Sequence, residues 1–204
     1  MTKKQQRQRT NSKSRGTNTL RIIAGQWRGR RLSFPDQEGL RPTPDKVRET
    51  LFNWLQGAVE ASHCLDLFTG SGALSLEALS RGAASATLID SSPLVINQLR
   101  DNLQLLKAEN AQLRQASAMN WLQQPTITAQ HFDLVFMDPP FHKGMVESCS
   151  QLLEHSGILS NRAFIYIEAE RELKPLPLPD NWVIRKQKDS GQVSSYLCQR
   201  STSD

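Results

Sequence analysis

Apolar and polar residues form two alternating patterns along most of the chain. Short apolar runs of the kind that form buried strands occupy residues 64–68, 86–90, 132–137 and 163–168. Longer amphipathic stretches separate them, and one places four apolar residues on a single helical face: Val47, Leu51, Trp54 and Leu55. We expect this helix to run to about Gln56. Strands that alternate with helices predict an α/β fold, in which a doubly wound, mostly parallel sheet is covered on both faces.

The remaining elements follow from turn residues and periodicity. Residues 20–24 and 30–34 predict a hairpin before the alternating region, and residues 182–186 and 194–199 predict a second one that adds antiparallel strands to one sheet edge. A further short strand is expected at residues 113–116. Four helices are expected at residues 72–81, from residue 93, around residue 121 and at residues 145–155.

Two Pro residues follow polar residues that can cap a helix. Thr43 is the expected N-cap of the helix at 47–55, with Pro44 at its first position. Ser92 and Pro93 form the same pair at the start of the long helix after residue 92.

Basic charge is concentrated at the N-terminus. Residues 1–31 hold ten basic residues and no acidic one, whereas the whole chain of 204 residues has a net charge of +5. The segment suggests a polyanionic partner or, alternatively, only a solubilising tail. Because residues 1–19 have almost no apolar side chains, we expect a disordered basic arm there. A hairpin-and-helix extension at 20–56 and the main domain at 57–204 would follow.

Composition excludes several classes of protein. The chain is 38% hydrophobic and 22% charged, which is typical of a globular protein, and its apolar runs are too short to span a bilayer. The basic N-terminus lacks the apolar segment of a signal peptide. Three scattered cysteines argue against a disulfide scaffold and a zinc site, so the sequence predicts a cytoplasmic protein without a metal centre.

A glycine pair follows the strand at 64–68. Gly70 and Gly72 permit a tight turn and close approach of a ligand. Ser75 stands where a dinucleotide-binding motif has Gly or Ala, and Asp66 precedes the glycines, where it would repel a pyrophosphate but attract an ammonium group. Asp90, at the end of the next strand, can accept hydrogen bonds from both hydroxyls of a ribose. These features predict S-adenosylmethionine as the cofactor; the alternative is a turn with capping acids.

The tetrapeptide Asp138-Pro139-Pro140-Phe141 follows the strand at 132–137 and therefore lies at the same sheet edge. The Asp138 carboxylate and the Pro139 carbonyl can accept both N–H groups of an exocyclic base amine, which favours a pyramidal nitrogen that can attack a methyl group. Pro140 restricts the backbone, and Phe141 offers a ring on which a base can stack. A strand-terminating Asp-Pro turn is the structural alternative.

These motifs resemble class I S-adenosylmethionine-dependent methyltransferases that methylate amines. The segments at 21–30, 39–54, 65–79 and 191–193 are most similar to the bacterial RsmD family, the guanine-N2 methyltransferases of small-subunit ribosomal RNA. The resemblance implies a Rossmann-like sheet of seven strands with the last strand antiparallel, and methylation of one guanine in 16S ribosomal RNA. It further suggests a monomer that acts on the 30S subunit or its assembly intermediate, and neither DNA nor a membrane as partner.

The resemblance also implies roles for individual residues. Asp138, Pro139 and Phe141 would hold the guanine. The cofactor would contact nine residues: Asp66, Phe68, Gly70, Gly72, Asp90, Ala118, Met119, Thr43 and Arg48.

The cationic residues around Trp27 suggest an RNA-binding surface. Four of them are expected to contact RNA, namely Arg21, Arg28, Arg30 and Arg31, and so are Arg41 and Lys143 at the expected target pocket. Trp27 could equally close over the core, and Arg41 and Arg48 could be ordinary helix-flanking charges. The target base must be unpaired or flipped out to reach a methyl donor.

Two other functions use the same features. An adenine-N6 or protein-glutamine methyltransferase would need the same Asp-Pro-Pro geometry. A non-catalytic RNA-binding assembly factor could retain the fold, although Asp66, Asp90 and Asp138 argue against it.

Overall fold

The structure is a computed structural model that describes residues 18–37, 40–124 and 131–201. Most of the predicted N-terminal arm, residues 1–17, lies outside this part of the chain. The strands and helices in the described part are β1 (Asn18–Arg21), β2 (Arg31–Phe34), α1 (Asp45–Trp54), β3 (His63–Asp66), α2 (Ala73–Ser80), β4 (Ser85–Asp90), α3 (Pro93–Leu106), β5 (Ala111–Gln115), α4 (Ala118–Leu122), β6 (Phe132–Met137), α5 (Met145–His155), β7 (Leu159–Glu170), β8 (Trp182–Ser190) and β9 (Val193–Arg200).

A seven-stranded sheet forms the centre of the molecule, in the order β5-β4-β3-β6-β7-β9-β8. The first five of these pair in parallel, and β9 pairs antiparallel with both β7 and β8. The predicted α/β fold is therefore confirmed, including the antiparallel last strand, which is inserted between β7 and the edge strand β8. The chain reverses its direction of winding between β3 and β6, and ligands of such sheets bind at the carboxyl ends of the strands beside that point.

Apolar side chains cover both faces of the sheet. One core packs α1, α2 and α3 against it, and the other packs α4 and α5. The N-terminal hairpin β1–β2 contributes Leu20, Ile22, Leu32 and Phe34 to the first core. Trp27 packs against the same core, half-buried, which favours the structural alternative for this residue.

Helix α1 departs from its prediction at both ends. Pro44, with an extended ψ of 146°, is the N-cap, and no side chain caps this helix, so the assignment of Thr43 as N-cap was wrong. The helix ends at Trp54 rather than Gln56, and its buried face includes Arg48 and Phe52. The cap predicted for α3 is confirmed, because the Ser92 hydroxyl accepts a hydrogen bond from the Val95 amide.

No helix in the three described ranges is long and apolar enough to cross a membrane.

Candidate active site

Four carboxylates lie at the carboxyl edge of the sheet. They belong to four adjacent strands, β4, β3, β6 and β7, or directly follow them. Asp66 pairs in register with Phe136, and Phe136 pairs with Tyr166. Because side chains alternate between faces with a period of two, Asp138 and Glu168 lie on the same face as this row, one step further toward the edge. Asp90 ends the neighbouring strand β4. The structure therefore brings the three predicted acids together and adds Glu168 to them.

The Asp90 carboxylate is held rigidly by backbone amides. Its Oδ2 accepts a hydrogen bond from Gly70 N at 3.0 Å, and its Oδ1 accepts one from Ser92 N at 2.8 Å. Each carboxylate oxygen keeps a further acceptor position, since an ionised carboxylate offers about four. Asp90 can thus accept hydroxyl groups of a ligand while it fixes the glycine loop.

Asp66 is a buried acid with few polar neighbours. Its side chain accepts hydrogen bonds from the Ser75 hydroxyl and the Phe68 backbone amide. Burial, with a smaller contribution from the charge of Asp90, nevertheless raises the pKa of Asp66 to about 7 against the hydrogen bonds from Ser75, Phe68 and the Thr69 side chain. A cationic ligand would relieve this cost, which is consistent with the predicted role of Asp66. Phe68 is half-buried beside it.

Both loop glycines adopt a left-handed backbone, with φ of 52° at Gly70 and 79° at Gly72. A Cβ atom at Gly72 would lie 2.6 Å from the Leu99 side chain of α3 and 3.0 Å from that of Leu76. One at Gly70 would lie 2.8 Å from the Leu40 side chain. The left-handed backbone favours glycine at both positions, and a Cβ atom would also displace these leucine side chains.

The Asp-Pro-Pro-Phe segment leaves β6 with its members unequally buried. Pro139 is buried, Asp138 and Phe141 are half-buried, and Pro140 is exposed. The Phe141 ring packs edge-on to His142 with its centroid 6.5 Å away. Burial and the charges of Glu168 and Asp66 raise the pKa of Asp138 well above its ordinary range. Asp138 is thus poised to take up a proton.

Glu168 is the functional candidate that sequence reasoning missed. It accepts a hydrogen bond of 2.8 Å from the Tyr166 hydroxyl, which also lies 3.2 Å from Ser195 Oγ. Burial raises the pKa of Glu168 above its ordinary value. Glu168 is the last residue of the apolar run at 163–168. Asp90 likewise ends its apolar run, and Asp138 directly follows one. This shared position is a signal that could have identified Glu168.

Ala118 and Met119 begin helix α4, directly after β5. The Ala116 amide donates to the Asp90 carbonyl at 3.0 Å, and Ser117 caps the helix. Both residues therefore lie at the same sheet edge as Asp90, with Ala118 buried and Met119 half-buried. This is the location expected for residues beside a cofactor's adenine.

Arg48 has a different environment from the one predicted. Its guanidinium is 1% exposed and donates to four protein groups: Thr43 O, Arg21 O, Asp45 Oδ1 and Glu77 Oε2. Thr43 thus contributes its carbonyl to an internal contact. These bonds give Arg48 a structural function, and the alternative of an ordinary helix-flanking charge is wrong for it.

Glu77 of α2 anchors the N-terminal extension. This fully buried carboxylate accepts hydrogen bonds from Ile23 N and Ala24 N, and it pairs with Arg48 and Arg81. The hairpin and α1 are thereby joined to the helix that begins at the glycine loop.

Four of the six predicted RNA-binding residues lie at two opposite edges of the sheet. The hairpin turn with Arg28 and Arg30 contacts Ser80 and Leu105, at the C-terminal ends of α2 and α3. These helices run back from the carboxyl edge, so their ends are about 12 Å or more from their beginnings. Arg41 follows Leu40, which packs at Gly70, and it therefore lies at the site edge.

The other three cations are also exposed. Lys143 follows Phe141 and His142 directly and lies beside the Asp-Pro-Pro-Phe segment. Arg21 and Arg31 line a surface cavity of about 310 Å³ together with Thr43 and Asp45, and Arg21 Nη2 is 3.6 Å from Asp45 Oδ2. The structure thus joins only Arg41 and Lys143 to the carboxyl edge.

The strand order, the glycine loop between Asp66 and Asp90, and Asp138 after β6 define the class of Rossmann-like methyltransferase folds. Residues 20–199 match the model of the family described as conserved hypothetical protein 95, and the chain belongs to this family.

Curated relatives carry a functional name. Ribosomal RNA small subunit methyltransferase D of Escherichia coli K12 is 50% identical over 185 residues, which cover 91% of this chain and 92% of that protein. The protein of the same name from Haemophilus influenzae is 48% identical over 182 residues, covering 88% and 93%. The solved structure of yhhF from Escherichia coli aligns with a TM-score of 0.83 at 48% identity, over 91% of this chain and all of that one. The predicted resemblance to the RsmD family is confirmed.

Proposed function

We propose that this protein transfers a methyl group from S-adenosylmethionine to the N2 amine of a guanine in small-subunit ribosomal RNA. The observation that carries the proposal is the position of Asp138 at the sheet edge that also holds Asp66, the glycine loop and Asp90. The names of the two curated relatives support a ribosomal RNA substrate.

The carboxylates and neighbouring residues at this edge fit the cofactor. Asp90 would accept the ribose hydroxyls, Asp66 would pair with the ammonium end, and Ala118 and Met119 would flank the adenine. S-adenosylmethionine supplies an electrophilic methyl group when it is bound. The carboxylates of Asp66 and Asp90 match the positive charge of such a ligand and would repel a phosphate.

Asp138 and Pro139 act on the amine. The lone pair of an exocyclic amine is delocalised into the base, so the nitrogen is a poor nucleophile until its geometry changes. Asp138 and the Pro139 carbonyl accept its two N–H groups and hold the lone pair toward the methyl group, while Phe141 stacks on the base. Alignment of this kind is worth about 7–11 kcal/mol of the activation barrier. The raised pKa of Asp138 suits it to take the proton that the methylated amine loses.

The RNA approaches over the carboxyl edge. Arg41 and Lys143 are the predicted cations that lie there, and we propose that they contact phosphates next to the target nucleotide. Arg28 and Arg30, at the opposite edge, would reach RNA only across the width of the protein. A footprint that spans both edges favours a folded particle over a short RNA, and we propose the 30S subunit or its assembly intermediate as the substrate.

The test is methylation by the purified protein with methyl-labelled S-adenosylmethionine. Substrates are 30S particles and naked ribosomal RNA from cells that lack the protein, with DNA as a control, and the products are digested to nucleosides and identified by mass spectrometry. We expect N2-methylguanosine from the particles. Asp138→Asn should reduce the rate about 10²-fold or more while cofactor binding, measured by calorimetry, is retained.

Other outcomes separate the alternatives. Label in N6-methyladenosine would show the same amine chemistry on another base and refute the guanine assignment. Full activity of Asp138→Asn would refute the catalytic role of this residue. Absence of both label and cofactor binding would favour a non-catalytic RNA-binding protein.

A further inference from the structure

Glu168 lies beside Asp138 and has no cation to balance it. Asp138 and Glu168 directly follow Met137 and Ile167, the last register pair of the parallel strands β6 and β7, and the charge of Glu168 acts on Asp138. In the described part of the chain, neither carboxylate forms an ion pair. The residue is only 8% exposed, so solvent does little to stabilise its charge.

Three groups are placed near Glu168 by the structure, namely Tyr166, Ser195 and Asp138, and none of them is cationic. Tyr166 of its own strand donates a hydrogen bond to it, and Ser195, its partner in register on β9, binds the same hydroxyl. Asp138, directly after β6, supplies the neighbouring negative charge, and Asp66 of β3 acts in turn on Asp138. Burial raises the pKa of Tyr166 above its ordinary value, so this hydroxyl keeps its proton and can donate it to Glu168.

We propose that Glu168 is a positioning residue of methyl transfer, which acts through Asp138 by sharing a proton with it. The proposal rests on the function proposed above. Two adjacent carboxylates without a cation between them do not both ionise readily, so the pair holds one proton at rest. The Tyr166 hydrogen bond fixes the Glu168 carboxylate in place for this exchange.

The proton balance of the reaction assigns each carboxylate a task. When the amine donates an N–H group to Asp138, the shared proton moves to Glu168 and leaves Asp138 ionised. The N2–carbon bond then forms as the bond between the methyl carbon and its sulfur breaks. The extra proton on N2 passes to Asp138, and the pair, now doubly protonated, returns one proton to water after the product leaves.

The isosteric variant Glu168→Gln tests this arrangement, with Glu170→Gln as the matched control. Both remove one charge from the same face of β7, but Glu170 contacts His142 through the amide and Nδ1 and is not among the charges that act on Asp138. In Glu168→Gln we expect the acid limb of the kcat–pH profile to move down by about one unit, because a neighbouring negative charge is lost. We expect kcat at neutral pH to fall about tenfold with KM unchanged.

The protonation of the Asp138–Glu168 pair can also be measured without an activity assay. Aspartate carboxyls are labelled with ¹³C for NMR, and the Asp138 signal is assigned by its loss in Asp138→Asn. We expect the midpoint pH of the Asp138 titration to fall in Glu168→Gln and to stay unchanged in Glu170→Gln. An unchanged midpoint in Glu168→Gln would overturn the proposal. Wild-type protein labelled at both aspartate and glutamate carboxyls is also decisive, since Glu168 and Asp138 must titrate in two shared steps, and independent single steps would contradict the pairing.

The same measurements separate this proposal from the proposed function. If the wild-type protein forms no N2-methylguanosine on any substrate, the proposed function fails, whereas the carboxyl titration, which needs no RNA, still decides whether the pair exists.

Discussion

The buried Asp66 carboxyl should make the free protein less stable as the pH rises. The pKa of Asp66 is raised from 3.8 to about 7 in the folded state. Below pH 4 the group is protonated in both the folded and the unfolded states and has no effect. Between pH 4 and pH 7 the unfolded chain loses the proton and the folded protein keeps it, so the free energy of unfolding falls with increasing pH.

The shift sets the magnitude of this effect. About three pKa units at 1.36 kcal/mol each give a loss of at most about 4 kcal/mol above pH 7, and we expect a measured value of about 2–4 kcal/mol. Asp66→Asn removes the titration and keeps an oxygen that can accept the hydrogen bonds of Ser75 and Phe68. The variant should therefore gain stability relative to the wild type as the pH rises from 4 to 8.

Urea unfolding of both proteins at pH 4, 6 and 8 measures this difference. Any constant cost of burying the new amide cancels when the difference between variant and wild type is compared across pH. Ser75→Ala supplies the reverse case, because loss of a donor to the carboxylate raises the Asp66 pKa further and steepens the decline. A difference between Asp66→Asn and the wild type that is independent of pH would refute the reasoning.

The same substitution should harm ligand binding. A charge-assisted contact to the ammonium end of the cofactor is worth about 1.5–3 kcal/mol, so the cofactor affinity of Asp66→Asn should fall about tenfold or more. If the variant is more stable at pH 8 and binds the cofactor weakly, the buried charge of Asp66 destabilises the free protein and is stabilised by the bound ligand. Unchanged affinity in calorimetry would contradict the assigned role.

Two further predictions concern the buried Glu77–Arg48 pair and the exposed arginines Arg41 and Arg30. Glu77→Gln should lower the free energy of unfolding by about 3–5 kcal/mol, because Arg48 would be left as a buried cation with a weakened partner; a loss below about 1 kcal/mol in urea unfolding would contradict this. Arg41→Gln should raise the KM for the RNA substrate about threefold or more, and Arg30→Gln should raise it less, because Arg30 lies at the opposite edge. Equal effects in steady-state kinetics at one salt concentration would show that both edges contribute equally.

Local patterns were sufficient to predict the elements that carry the site. The apolar run of β6 with the proline pair after it predicted a strand that ends at Met137, just before Asp138, and the structure confirms a strand from Phe132 to Met137. Ser92 caps α3 as expected, because the hydrogen bond that defines a cap spans only three residues. The positions of Asp66, Asp90 and Asp138 at one edge followed from the rule that parallel strands present their carboxyl ends together.

The sequence by itself determined the fold class, the glycine loop and the three acids, because each depends on neighbours within a few residues and on the regular geometry of an α/β sheet. Only the tertiary structure showed that Arg48 is buried against Glu77, 29 residues away, and that Glu168 stands beside Asp138. It also separated Arg30 from Arg41. A charged side chain has the same local pattern whether it faces solvent, a ligand or a buried partner, and only the packing of distant elements decides which of these it meets.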